Sequence, residues 1–137
     1  MCQLEADQTD DQPTTKVSFK IMSPMLIPDE ISQILQIVPD RSHKKGDFPR
    51  NDPKYSPYKK GMWSLDSRCS EYEPLSKHLE MLLVVLLPKQ EIIVEIARDS
   101  HIYFYCSLFS QSDFYLENNL LMKITSLKAS LGVSTYP

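Results

Sequence analysis

The residues with the most chemistry in this sequence lie between positions 41 and 60. Arg41, Lys44, Lys45, Arg50, Lys54, Lys59 and Lys60 are set there against only Asp47 and Asp52, whereas the rest of the chain carries eight bases and sixteen acids. Phe48, Tyr55 and Tyr58 are interleaved with these cations, and Trp63 follows closely after Gly61. A cationic segment on an acidic chain attracts phosphates or an acidic protein surface. Interleaved rings stack on bases or anchor an interface. The bland alternative is a solvated basic loop, with Tyr55 and Tyr58 folded back on the core and Trp63 packed inside it. The acidic remainder counts against nucleic acid, because that affinity grows with the number of phosphates neutralised. The candidate binding residues are therefore Lys44, Lys45, Arg50, Tyr55, Tyr58, Lys59, Lys60 and Trp63.

Covalent chemistry has weaker support. Cys69 sits in the polar run Ser67-Arg68-Cys69-Ser70, where Arg68 would lower its thiol pKa. His78 is nine residues further on, on the Leu-rich helix with Leu75, Leu79 and Leu82 nearby, and reads as a boundary histidine rather than a base. His43 lies among lysines that disfavour its protonated form. His101 precedes the aromatic run around Cys106, which reads as core. No two histidines stand four apart around a Glu, and no CxxC occurs, so no metal site is expected. There is no GxSxG elbow. With only Gly46, Gly61 and Gly132 in the chain, no phosphate or dinucleotide loop and no cofactor is expected. Acidic pairs such as Asp40 with Asp47, or Asp66 with Glu71 and Glu73, need a pocket to shift their pKa values before they do acid–base work. The reading leans away from an enzyme.

The elements that must position these residues follow from periodicity. The 137 residues, 42% hydrophobic and 24% charged, suit one globular domain. Residues 1–14 hold Glu5, Asp7, Asp10 and Asp11 and no base, and read as a flexible acidic tail. The domain then spans 15–137. Val17, Phe19 and Ile21 alternate with polar residues and predict a strand. Pro28-Asp29-Glu30 opens a helix with an apolar face at Ile31, Ile34, Leu35 and Val38, closed by Pro39. Residues 40–60 read as a long loop, in which Lys45-Gly46-Asp47 is a tight turn. Met62 to Leu65 predicts a strand, and a Leu-rich helix opens at Glu73-Pro74. A further helical stretch runs through Ile92, Ile93 and Ile96. Residues 102–109 predict a central strand, with Phe114 and Tyr115 as a short extension. Leu120 to Leu131 predicts the last helix, with Gly132 at its left-handed cap, before a short final strand at Val133–Tyr136. Few glycines argue against the tight turns of a parallel α/β sheet. The expected fold is α+β: a twisted, mostly antiparallel sheet of about four to five strands with helices on one face.

The order Pro28-Asp29-Glu30-Ile31, Pro39-Asp40, Lys45-Gly46-Asp47, Trp63-Ser64-Leu65-Asp66-Ser67, then Leu75, His78, Leu79, Leu82, Leu83, Leu86 and Pro88, resembles a bacterial family of small uncharacterised domains, domain of unknown function 4279. The resemblance covers residues 16–136. It implies a small stand-alone cytoplasmic α+β domain and brings no reaction with it.

A non-enzymatic protein-binding module is the expected function, with an immunity- or inhibitor-type role acting by surface charge complementarity. The alternative is a ligand- or nucleic-acid-binding regulator using the basic aromatic loop, and the third a small hydrolase using Cys69 or a carboxylate pair. Cys2, Cys69 and Cys106 make a poor disulfide framework, and no signal peptide is visible, so a cytoplasmic protein is expected. The most apolar run, Met81 to Leu87, is far short of the roughly 20 residues that span a bilayer, so no membrane is expected. A final strand with a free edge would mediate dimerisation, but periodicity alone does not show which edge is free.

Overall fold

Period-two alternation builds the strand at the centre of the molecule. Val17, Phe19 and Ile21 point to one side of β1 (Thr14–Ser23) and are 0–3% exposed. Lys16, Ser18 and Lys20 point to the other, as a strand requires. The computed structural model describes residues 12–137. Most of the expected acidic tail, with Cys2, lies outside the described residues. Thr14 does not belong to that tail, because it already pairs with Phe109 across the sheet.

After β1 come α1 (Pro28–Leu35), β2 (Arg41–His43), a 3-10 turn (Pro49–Asn51) and β3 (Gly61–Asp66). Then follow α2 (Leu75–Leu86), a 3-10 turn (Leu87–Lys89), α3 (Gln90–Ile96), β4 (His101–Phe109), α4 (Asn118–Ser126) and β5 (Ser130–Tyr136). The sheet order is β2-β3-β1-β4-β5. All neighbours are antiparallel except β4 and β5, which are parallel and joined through α4. The expected α+β fold and its mostly antiparallel sheet are what the chain adopts.

Register stacks the core in rows. Trp63, Ile21 and Ile102 lie side by side, then Leu65, Phe19 and Phe104, then Val17 and Cys106. The helices cover this side with Leu35, Leu79, Leu83, Leu86, Ile93, Leu120 and Ile124, and all join one apolar cluster. Phe19 meets the edge of Trp63 at 6.4 Å and tilts against Phe104 at 5.2 Å, geometries that aromatic rings favour.

Several expectations are corrected. α1 does not run to Pro39: Gln36 turns left-handed at φ 58° and its N–H bonds the Ser32 carbonyl at 2.8 Å. The apolar face of α1 is narrower too, since Ile34 is 48% and Val38 81% exposed. Residues 40–60 are not uniformly loop, because they hold β2 and a 3-10 turn. Phe114 and Tyr115 form no strand. The last helix is capped by Lys128, at φ 61°, and Gly132 lies inside β5, which starts three residues earlier than expected.

Candidate functional site

The sheet face opposite the helices carries the polar half of every strand. Cross-strand register sets its rows. Arg41, Ser64, Lys20 and Tyr103 form one row; Asp66, Ser18 and Tyr105 the next; Lys16, Ser107 and Ser134 the third; Phe109 and Tyr136 close one end, and His43, Met62, Met22 and His101 the other. No residue of the buried apolar cluster belongs to this face. Among the described residues no helix covers this face, which has tyrosines in its middle and cations beside them.

Local bonds hold these groups in place. Arg41 Nη2 donates to Asp66 Oδ1 at 2.7 Å and to Ser18 Oγ at 3.2 Å, and Ser18 Oγ donates to Asp66 at 2.6 Å. Lys20 Nζ lies 5.6 Å from the centre of the Tyr105 ring, within cation–π reach. Partial burial, then the nearby Arg41 charge, lower the Lys20 pKa. The Tyr105 hydroxyl shares a 3.2 Å hydrogen bond with Ser134 Oγ, which draws its pKa down. Phe109 and Tyr136 stack at 4.8 Å. The face is therefore cationic and aromatic.

The basic segment forms a flap beside β2. Gly46 takes φ 94°, and the Lys44 N–H reaches Asp47 Oδ2 at 2.9 Å, so the expected tight turn is present. Gly46 N–H bonds the Tyr58 carbonyl and Tyr58 N–H the Asp47 carbonyl, at 2.9 and 2.8 Å, closing the flap on itself. Tyr58 stacks on His43 at 3.5 Å instead of entering the core. Tyr55 is exposed, with Lys54 Nζ 5.2 Å over its ring. A cleft of about 430 Å³ under the flap is lined by Arg41, His43, Phe48, Arg50 and Tyr58, among others. Lys44, Lys45, Lys59 and Lys60 are exposed on this flap, and Arg50 is left-handed at φ 57°. Trp63 departs from this group. It is 0% exposed, on the core side of β3, with its Nε1–H bonded to Ser32 Oγ at 3.0 Å. It cannot touch a partner.

A second polar cluster sits where β3 peels away from β1. Ser67 N–H still bonds the Val17 carbonyl, but the chain then departs and Glu71 returns its carbonyl to Thr15 N–H. The gap is a cleft of about 270 Å³ that reaches Arg41, Asp66, Ser67, Cys69 and His78. Ser67 Oγ and His78 Nδ1 share a 2.6 Å hydrogen bond. The ring is 1% exposed and its Nε2 has no partner among the described residues. Among the described residues no carboxylate bonds this ring, so the pair lacks the third member of a nucleophilic triad there. Its evident work is to tie the first turn of α2 to the end of β3. Sequence reasoning placed His78 on this helix as a boundary histidine; at 1% exposed among the leucines of α2 it is instead fully buried.

Burial also works against an activated Cys69 thiol. The Cys69 thiol is pushed above its ordinary pKa by burial first and Glu73 second, with Lys77 opposing. Arg68 does not activate it, since its guanidinium is held by Asp40 at 2.8 Å. Cys106 is core, as expected, and burial pushes it up to about 12. Asp40 sits below its ordinary value: burial pushes it up, but the Asp66 N–H and Arg68 together outweigh that.

Two histidines, the buried His78 and the half-buried His43, are expected to make the fold acid-sensitive. Burial lowers the pKa of His78 below 6.5, against the pull of the Ser70 and Glu73 carbonyls. Burial likewise lowers His43, more than the neighbouring lysine charge held responsible on sequence grounds, of which only Lys20 counts. The unfolded chain therefore binds more protons just below pH 6.5, and stability rises with pH there. The urea midpoint is expected to be level near pH 7–8 and to fall as pH drops below about 6.5 toward the folded-state values. His78→Gln is expected to flatten that fall. An unchanged slope would show that His78 does not titrate with unfolding.

Among the described residues no group of three or more His, Cys, Asp or Glu side chains is placed to hold a metal ion, and no helix is long and apolar enough to cross a membrane. Neither the curated proteins nor the solved structures contain a match. A family model described as domain of unknown function (DUF4279) matches residues 13–137, nearly the whole chain. The strand, flap and His-bearing helix described above thus lie inside the matched region, and the chain belongs to the DUF4279 family.

Proposed function

We propose that the protein is a non-enzymatic protein-binding module that uses its open sheet face and the adjoining flap, in an immunity- or inhibitor-type role within the cytoplasm. The observation that carries this reading is the composition of the uncovered face: Lys16, Lys20 and Arg41 beside Tyr103, Tyr105 and Tyr136, with one carboxylate, Asp66, already paired. Tyr and Arg are the side chains that concentrate binding energy at interfaces. A net charge of −3 suggests a basic partner, but the face available for binding is cationic. The partner surface is therefore acidic with apolar ground between the charges.

The test is an affinity purification from the native host at low and moderate salt, followed by titration of the recovered partner. Lys16→Glu with Tyr105→Ala is expected to weaken binding by at least about tenfold, or about 1.4 kcal/mol. Lys44, Lys45, Lys59 and Lys60 changed together to Glu is expected to slow association and to flatten or reverse its salt dependence. Binding untouched by either variant would place the contact on the helical side. Nucleic acid recovered only at low salt, and lost with the flap variant, would favour a regulator instead.

A further inference from the structure

We propose that the protein pairs with a second copy of itself through β5, the two strands running antiparallel about a two-fold axis at Val133, so that two sheets join into one. This is independent of what the open face binds.

Among the described residues β5 ends the sheet and pairs only with β4. The direction of its free groups follows from one bond. The Tyr136 carbonyl accepts from the N–H of Ser110, the residue just past β4, at 2.9 Å. Backbone groups alternate along a strand. Ser130, Gly132, Ser134 and Tyr136 thus turn theirs toward β4. Leu131, Val133 and Thr135 turn N–H and C=O outward.

Exposed edges are ordinarily blunted by brevity, charge or proline. The other end strand, β2, is three residues long and carries Arg41. β5 runs seven residues, Ser-Leu-Gly-Val-Ser-Thr-Tyr, with no charge and no proline among them. Such an edge meets its own image without like-charge repulsion. Centring the pair on Val133 sets Val133 against Val133 and Leu131 against Thr135. The three donors and three acceptors of each copy then satisfy those of the other. Leu131 and Val133 lie on the core side, packed against the cluster yet only partly buried, and the second copy covers them. The symmetry is closed and isologous, the commonest arrangement for a homodimer.

The experiment is sedimentation velocity on the full chain over a wide concentration range. A dimer is expected. Thr135→Lys, at an exposed position, sets an ammonium against Leu131 of the other copy and is expected to raise the dissociation constant by at least about tenfold. Val133→Pro removes an outward N–H while sparing the bonds to β4, and is expected to do the same. If it unfolds the chain, Thr135→Lys carries the test, with circular dichroism to show that the fold persists. Hydrogen-bonded antiparallel partners lie about 5.5 Å apart at Cα, within the range of about 4.4–6.8 Å that a disulfide spans. Val133→Cys, with Cys2 and Cys69 changed to Ser, is therefore expected to form a covalent dimer on mild oxidation. A monomer at every concentration would overturn the proposal. So would a dimer indifferent to Thr135→Lys that Val133→Cys fails to lock, since its contact would lie elsewhere.

Discussion

Trp63→Ala is expected to destabilise the protein by about 3–5 kcal/mol, the cost of emptying a large aromatic site in a packed core. Trp63 is wholly buried, and it holds the row that joins β3 to β1 through Ile21. Its ring meets Phe19 edge-on at 6.4 Å, and its Nε1–H donates to Ser32 Oγ at 3.0 Å, which ties α1 to the sheet. Truncation removes ring contacts and leaves the Ser32 hydroxyl without its donor. Domains are typically stable by only about 5–15 kcal/mol, so the variant approaches the limit of folding. Trp63→Phe keeps most of the volume and is expected to cost less than half as much. Trp63 is the single tryptophan, so the comparison is made by circular dichroism in urea, where fluorescence would lose its probe. A change within about 0.5 kcal/mol, as at ordinary surface positions, would mean that the ring is exposed and free to act as an anchor after all.

The second large effect is expected from the smallest residue. A Cβ added at Gly61 would stand 2.5 Å from the Leu26 carbonyl oxygen and 3.0 Å from Leu26 Cβ. The nearest of these atoms belongs to backbone and cannot rotate aside. Gly61 also pairs with Ser23 at the end of β1, and Leu26 is itself buried. The chain between them must move, or β3 must shift and carry Trp63 with it. Gly61→Ala is expected to cost about 3 kcal/mol, the upper part of the overpacking range. Gly132→Ala is the control. Its nearest neighbours would be at 3.9 Å, and a strand gains from losing a glycine's extra unfolded-state freedom. Its urea midpoint is expected to stay level or rise slightly. Equal midpoints for the two variants would mean that Leu26 does not press on the start of β3.

These two positions bracket what is readable before folding. The polar and apolar halves of β1 follow from a period of two that belongs to the backbone itself. Leu75, Leu79, Leu82, Leu83 and Leu86 mark the buried side of α2 because a helix repeats every 3.6 residues. The Lys45-Gly46-Asp47 turn is local chemistry, and the basic and aromatic content of residues 41–60 is composition. Each of these is a short-range property, and each is legible. The signal for Lys16 and Lys20 was present in the same alternation, as the half of β1 left over when the core half is removed.

What that leftover half touches is another matter. Lys20 meets Tyr105 from a strand some eighty residues further on, and Arg41 reaches Asp66 and Ser18 from a third. Only register across the sheet makes them neighbours. Burial is equally nonlocal. It draws Trp63 out of the basic aromatic group, raises the Cys69 thiol that Arg68 was expected to activate, and holds His78 neutral beside Ser67. The free edge also depends on order in the sheet: β5 comes last because it lies parallel to β4 after the α4 crossover. The apolar faces of β1 and α2 are legible in the sequence because they obey backbone periods a few residues long. Tertiary structure alone decided which cations, rings and edges stand together in the open, because those contacts join residues tens of positions apart through packing and strand register.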